Sequence, residues 1–176
     1  LPSTEMHLGR KETIADTARV LGRMFDGIMF RGYAQATVEA LARHAGIPVW
    51  NGLTDTYHPT QALADLMTIE EEFGRLRGVR VVYMGDGRNN VATSLMIACA
   101  KMGMGFVNCT PDALAPDPAV VAMATRFAAD AGGSVAVTPD PETAVRGANV
   151  VYTDVWVSMG EEGERQRRLE LLSPYR

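Results

Sequence analysis

Short apolar runs alternate along this chain with longer amphipathic stretches, and no other feature limits its fold so tightly. Gly27 to Phe30, Ile47 to Trp50, Arg80 to Met84, Gly105 to Cys109, Gly133 to Val137 and Asn149 to Thr153 read as strands. Between them, apolar residues recur at helical spacing. Thr13 to Phe25 puts Ile14, Thr17, Leu21 and Met24 on one stripe, and Gln35 to Ala45 aligns Val38, Leu41 and Ala42. Pro59 to Phe73 reads as a long helix, its proline suited to a first turn. Val91 to Met102 is a helix ended by Gly103, and Asp117 caps another that starts at Pro118 and runs to about Ala131. Glu142 to Arg146 supplies a helical turn or two, and Gly160 to Leu172 a charged helix near the surface. Such alternation is the pattern of parallel sheets built from right-handed strand–helix–strand units. The expected fold class is α/β: two parallel-sheet α/β domains joined by the 59–73 helix. The Gly- and Arg-containing stretch 74–78 marks the expected boundary, giving domains 1–74 and 75–176. Only two strands precede the joining helix, and a parallel sheet buried on both faces needs more. The first domain is therefore expected to be incomplete, with the chain starting inside it at Leu1.

Composition narrows the function classes. With 47% apolar and 22% charged residues, the chain has the balance of a globular protein, not of a disordered, collagenous or coiled-coil one. A net charge of −4 argues against wrapping nucleic acid or coating anionic lipid. No apolar run approaches the roughly 20 residues of a membrane helix. Residues 1–10 lack a basic segment followed by an apolar one, so the expected compartment is the cytoplasm. Cys99 and Cys109, the only cysteines, have neither C-x-x-C spacing nor further partners, which disfavours zinc or a disulfide framework.

Ligands of parallel α/β sheets bind beyond the carboxyl ends of the strands, and four loops there stand out. Arg31 closes a strand just before Gly32. Its guanidinium can pair with a phosphate or polarise a carbonyl oxygen; a surface arginine is the alternative. His58 and Gln61 flank the start of the 59–73 helix, where free N–H groups and a partial positive charge suit an anion. There His58 can donate to a carbonyl oxygen and Gln61 can accept from an amide; capping by His58 or Thr56 is the alternative. The turn 84–90 is where a dinucleotide fingerprint would lie, but G-x-G-x-x-G requires a glycine at position 90, and Asn90 stands there. A nicotinamide cofactor is therefore disfavoured, and Asn89 and Asn90 either bind a small polar ligand or only cap the helix. In the fourth loop Asp154 closes a strand and Ser158 follows; together a carboxylate and a hydroxyl can hold an ammonium group. Val155, Trp156 and Met159 on the same loop call for something to pack on them.

Taken together, the four loops resemble one family. Asp16-Thr-Ala-Arg-Val-Leu-Gly-Arg-Met24, Phe30-Arg-Gly-Tyr33, Trp50-Asn-Gly-Leu-Thr-Asp55, His58-Pro-Thr-Gln61, Gly85-Asp-Gly-Arg-Asn-Asn90 and Thr153-Asp-Val-Trp-Val-Ser-Met-Gly160 are similar to segments of the ornithine carbamoyltransferases. The resemblance runs from about Gly9 to Arg176. H-P-T-Q marks carbamoyltransferases in general, and D-x-W-x-S-M-G narrows the acceptor to ornithine.

That resemblance implies one domain for carbamoyl phosphate and one for the amino acid. It implies that Arg31, His58 and Gln61 bind the carbamoyl group, with Arg31 and His58 polarising its carbonyl. It implies that Asn90, Asp154, Ser158 and Met159 hold the amino-acid ends of L-ornithine. The δ-amine attacks, phosphate leaves and citrulline forms, with no metal or organic cofactor and in a homotrimer or a multiple of trimers. Two family motifs, S-T-R-T-R and H-C-L-P, are absent. The 176-residue chain alone is therefore expected to be inactive, as the middle of an enzyme. Other readings are a relative with another amine acceptor and a catalytically dead module that binds ligand or assembles with partners.

Overall fold

Local chemistry accounts for most of the element starts. Thr13 caps the first helix, α1 (Ile14–Met24), by accepting from the Asp16 N–H, and Asp16 pairs in turn with Arg19 at 2.7 Å. Asp117 accepts from Ala119 N–H to cap the helix begun by Pro118, as the sequence predicts. The computed structural model describes residues 12–157 and 162–175. Contacts along the chain separate two compact units, Leu1–Thr60 and Gln61–Arg176.

In the first unit, α1 is followed by β1 (Ile28–Arg31), α2 (Gln35–His44) and β2 (Val49–Leu53). The two strands pair in parallel, with Met29 opposite Trp50 and Phe30 opposite Asn51. The register shifts after Phe30, so Arg31 lies opposite Leu53. Ala18, Leu41 and Ala45 form the buried centre, with Ile14, Ile28, Phe30, Ile47 and Val49 packed around it. The helices approach closely because residue 22 is glycine: a Cβ there would sit 1.8 Å from the Ala45 carbonyl oxygen. Thr17 and Ala18 are buried, while Met24, expected on the buried stripe, ends the helix and is 68% exposed. Ala45 is buried and Ala42, expected in the core stripe, is exposed.

The second unit contains most of α3 (Pro59–Phe73), then β3 (Arg80–Met84), α4 (Asn90–Lys101), β4 (Gly105–Cys109), α5 (Pro118–Ala131), β5 (Ser134–Thr138), α6 (Pro141–Val145), β6 (Val150–Thr153) and α7 (Arg165–Leu172). All strand pairs are parallel, in the order β5-β4-β3-β6. One face of β3 and β4 packs Val81, Tyr83 and Phe106 against Leu95, Met96 and Cys99 of α4 and Leu66 and Ile69 of α3. The other face buries Val82, Met84, Val107 and Cys109 with Ala144 and Tyr175. Burial of this extent is what lets a parallel sheet carry near-continuous apolar strands. Among the described residues, no helix is long and apolar enough to cross a membrane.

The strand order carries functional weight. From β3 the chain steps outward to β4 and β5, then returns to β6 on the opposite side of β3. The connections leaving β3 and β6 therefore diverge at the carboxyl ends of adjacent strands. In open α/β sheets that crevice is where ligands bind.

Candidate functional site

In the first unit the loops after β1 and β2 are tied together. Gly32 N–H donates to the Leu53 carbonyl at 3.0 Å, and Asp55 N–H donates to the Tyr33 carbonyl at 2.7 Å. Thr54 is fully buried beneath them. Its hydroxyl donates to Gln35 Oε1 at 2.8 Å and accepts from Tyr57 N–H at 3.0 Å, while Asn51 Nδ2 also donates to Gln35 Oε1, at 3.2 Å. This network holds the 54–57 turn that delivers His58 to the start of α3. Sequence reasoning did not single out Gln35 or Thr54, because each reads alone as an ordinary polar residue near an element end.

Arg31 is exposed at the end of β1, and His58 is half-buried after β2. The His58 Nδ1 lies 3.5 Å from the Thr60 hydroxyl, which is 3.4 Å from the Gly52 carbonyl oxygen. His58 Nδ1 and the Gly52 carbonyl thus share the single Thr60 hydroxyl. The first unit thus brings Arg31 and His58 to the same, carboxyl-terminal end of its sheet.

Gln61 begins the second unit. Its Nε2 donates to Asp65 Oδ1 at 2.9 Å. A carboxylate only accepts, so Asp65 takes the NH2 end and turns the carboxamide oxygen away from itself. Asp65 in turn borders Tyr152: burial, followed by the Asp65 charge, raises the Tyr152 phenol well above its ordinary range. Tyr83 stacks on Tyr152 with ring centroids 6.0 Å apart, and burial followed by the Asp154 and Asp86 charges raises its phenol too. Both rings are neutral at physiological pH and belong to the core cluster shared with α3 and α4.

The turn after β3 is tightly braced. Asn89 caps α4 by accepting from Val91 N–H at 2.7 Å, leaving Asn90 half-buried at the first helical position. The two asparagines, indistinguishable in sequence, thus have different positions: Asn89 caps and Asn90 follows it. Gly87 is wedged so tightly that a Cβ would meet Asn108, Thr110 and the Leu114 carbonyl, each at 2.9 Å. Gly87 N–H donates to Thr110 Oγ1 at 3.1 Å, and Asn108 Nδ2 donates to the Gly87 carbonyl at 3.3 Å. After β6, Asp154 is half-buried and accepts from Val155 N–H at 2.8 Å. The second unit thus places Asn90 and Asp154 on the connections that follow the adjacent strands β3 and β6. Ser158 and Met159 lie outside the described residues.

The residue that sequence reasoning missed most clearly is Arg168. The 160–172 segment reads as a charged surface helix, yet Arg168 is only 1% exposed. Its Nη2 donates to Asp86 Oδ2 at 2.5 Å and its Nε to the Trp156 carbonyl at 2.6 Å. Asp86 also accepts from the Arg88 backbone at 2.9 Å and its guanidinium at 3.1 Å. Burial alone would raise the Asp86 carboxyl, but the hydrogen bonds from Arg88 and Arg168 outweigh it and hold the group below its ordinary range. A signal was available: Arg168 and the fully buried Leu172 are one helical turn apart.

Cys99 and Cys109 are fully buried free thiols. Burial, then the Asp65 charge, pushes Cys99 up to about 12, and burial, then the Asp140 charge, pushes Cys109 up to about 11. Neither supplies a thiolate nucleophile at neutral pH. Among the described residues, no group of three His, Cys, Asp or Glu side chains could hold a metal ion.

Comparison with known proteins shows the family of the chain. Residues 77–176 match the Asp/Orn binding domain of aspartate/ornithine carbamoyltransferase, and residues 1–71 match the carbamoyl-P binding domain of the same family. An ornithine carbamoyltransferase of Thermotoga petrophila is 63% identical over 175 residues, covering 99% of this chain and 56% of that relative. A catabolic ornithine carbamoyltransferase of Bacillus licheniformis is 57% identical over 175 residues, covering 99% of this chain and 52% of that relative. The solved ornithine carbamoyltransferase from Pyrococcus furiosus has a TM-score of 0.94 and 52% identity, covering 100% of this chain and 56% of that one. The chain thus spans about half the length of the curated relatives it matches. With a family model matched in each half and one fold shared over its whole length, the chain belongs to the aspartate/ornithine carbamoyltransferase family.

Proposed function

We propose that the protein carrying this chain transfers a carbamoyl group from carbamoyl phosphate to the δ-amine of L-ornithine, giving L-citrulline and phosphate, or runs the reverse. One observation supports the reading above all: Asn90 and Asp154 leave adjacent strands where the strand order reverses, in a chain 63% identical to an ornithine carbamoyltransferase. In this reading residues 1–74 serve carbamoyl phosphate and residues 75–176 serve ornithine, although α3 shares the core of the second unit.

The chemistry follows from the side chains. Arg31 and His58 donate to the carbamoyl oxygen and stabilise the negative charge that grows there as the amine attacks. Gln61 accepts from the carbamoyl N–H2 and fixes which way the carbonyl points. Asp154 holds the α-ammonium group of ornithine; Asn90, Ser158 and Met159 hold and orient the rest of its amino-acid end. The deprotonated δ-amine then forms the new C–N bond, the C–O bond to phosphate breaks with its electron pair leaving on phosphate, and the departing phosphate takes the proton that the amine sheds. Holding the two substrates in line supplies the entropic part of the acceleration. Homotrimeric assembly, a cytoplasmic location and independence from nucleic acid, membrane, metal and organic cofactor complete the proposal.

The test is a citrulline-forming assay on the complete gene product, with ornithine, putrescine, N-acetylornithine and aspartate as separate acceptors. Turnover with ornithine alone is expected. Turnover with another acceptor in its place would overturn the assignment, and binding of carbamoyl phosphate without any turnover would favour a dead module.

A further inference from the structure

We infer that Arg168 and Asp86 form a positioning clamp for the acceptor amino acid, joining the turn that carries Asn90 to the loop that carries Asp154; this rests on the carbamoyl-transfer reading. One edge of the Arg168 guanidinium makes both contacts: Nη2 to Asp86 at 2.5 Å and Nε to the Trp156 carbonyl at 2.6 Å. The guanidinium is planar and rigid, so two N–H groups on it point in fixed directions. They set the distance between their acceptors as a flexible lysine would not.

Those acceptors belong to different loops. Asp86 lies between Gly85 and Gly87 in the turn that ends at Asn90. Trp156 lies two residues beyond Asp154 and two before Ser158. Neither Asp86 nor Arg168 is an acceptor-binding residue in this reading; each acts through the residues beside it. Asp86 is braced on its other side by Arg88, so the turn is the fixed jaw and the Trp156 carbonyl the part held against it. A buried ion pair does not by itself indicate such a role, since apolar replacements often preserve stability. What points to positioning here is the backbone carbonyl: Arg168 holds a loop as well as neutralising a carboxylate. A shift of about 1 Å between groups that grip one ligand can cost about a hundredfold in rate.

The test uses the complete gene product with Arg168→Met, Arg168→Lys, Asp86→Asn and the Arg168→Met/Asp86→Asn pair. KM for each substrate, kcat and circular dichroism are measured for every variant. The expected result is a KM for ornithine raised by about tenfold or more in Arg168→Met, with the KM for carbamoyl phosphate within about twofold. Arg168→Lys is expected to fall between wild type and Arg168→Met, and the double variant to cost no more than the worse single, because both changes open the same clamp. Unchanged ornithine KM in a folded Arg168→Met variant would overturn the proposal, as would equal changes in both KM values. If Arg168→Met does not fold, Arg168→Lys decides by the same two criteria. Wild-type protein that forms no citrulline would instead remove the carbamoyl-transfer reading itself, and the clamp's role with it.

Discussion

Single side chains divide into those whose role is written in their neighbours and those whose role is not. The positions of Arg31 and His58 were legible, since each stands at an element end beside a glycine or proline. His58→Ala is expected to lower kcat by about 10²–10³, the usual cost of one donor to a developing oxyanion, with the thermal transition nearly unmoved; steady-state kinetics beside calorimetry checks this. Arg168 was not legible, since Arg165, Arg167 and Arg168 look alike until one knows which of them shares a helix face with Leu172. Its partner Asp86 gives a pH prediction. The carboxyl sits below the ordinary aspartate value of 3.8 in the folded chain. Its stabilisation is therefore complete above that value and is lost as pH falls through the lower, native one. Stability should hold from neutral pH down to the ordinary aspartate range and drop on further acidification, and Asp86→Asn should flatten that drop. Urea denaturation midpoints across the range will show whether it does.

At the scale of elements, caps and breakers carried the reading. Asp117 followed by Pro118 announces α5 without help from the rest of the chain, and the side chain does accept from Ala119 N–H at 2.7 Å. Asp117→Ala should cost about 1 kcal/mol, the value of an exposed N-cap. Where packing sets orientation, sequence says less. The α1 stripe was read from apolar periodicity, which does not foretell the close approach of Gly22 to Ala45. Gly22→Ala would improve helix propensity and still should destabilise the protein, by about 1–3 kcal/mol, because the new methyl group overlaps the Ala45 carbonyl. A lower denaturation midpoint for this variant, against a neutral or stabilising effect, distinguishes packing from propensity.

For the whole molecule, alternation of strand and helix was enough to give the class of fold and the parallel sense of the strands. It was not enough to give their order: nothing in 149–153 says that this strand passes β5 and β4 to pair with β3. That return is a matter of which edge of the sheet the α6 connection can reach, and it creates the crevice on which the site reading depends. The two units also differ in how much they bury. The second packs a four-stranded sheet between helices, while the first rests on a two-stranded sheet and a small centre of Ala18, Leu41 and Ala45. Two strands alone are marginal. In the 176-residue chain taken by itself, amide hydrogen exchange should therefore be slowest in β3 and β4 and distinctly faster in β1 and β2. Mass-spectrometric peptides over 80–84 and 28–31 provide the comparison.

The grip of Arg168 on the Trp156 carbonyl also has a spectroscopic side. The chain has only two tryptophans, and Trp50, in the first unit, is 51% exposed. Within these 176 residues, replacing Trp50 with phenylalanine leaves one indole, on the backbone segment that Arg168 holds. Its emission would then report the state of that segment directly, so that movement of the loop, as an amino acid arrives or as the guanidinium is removed, becomes a change of colour rather than an inference from rates.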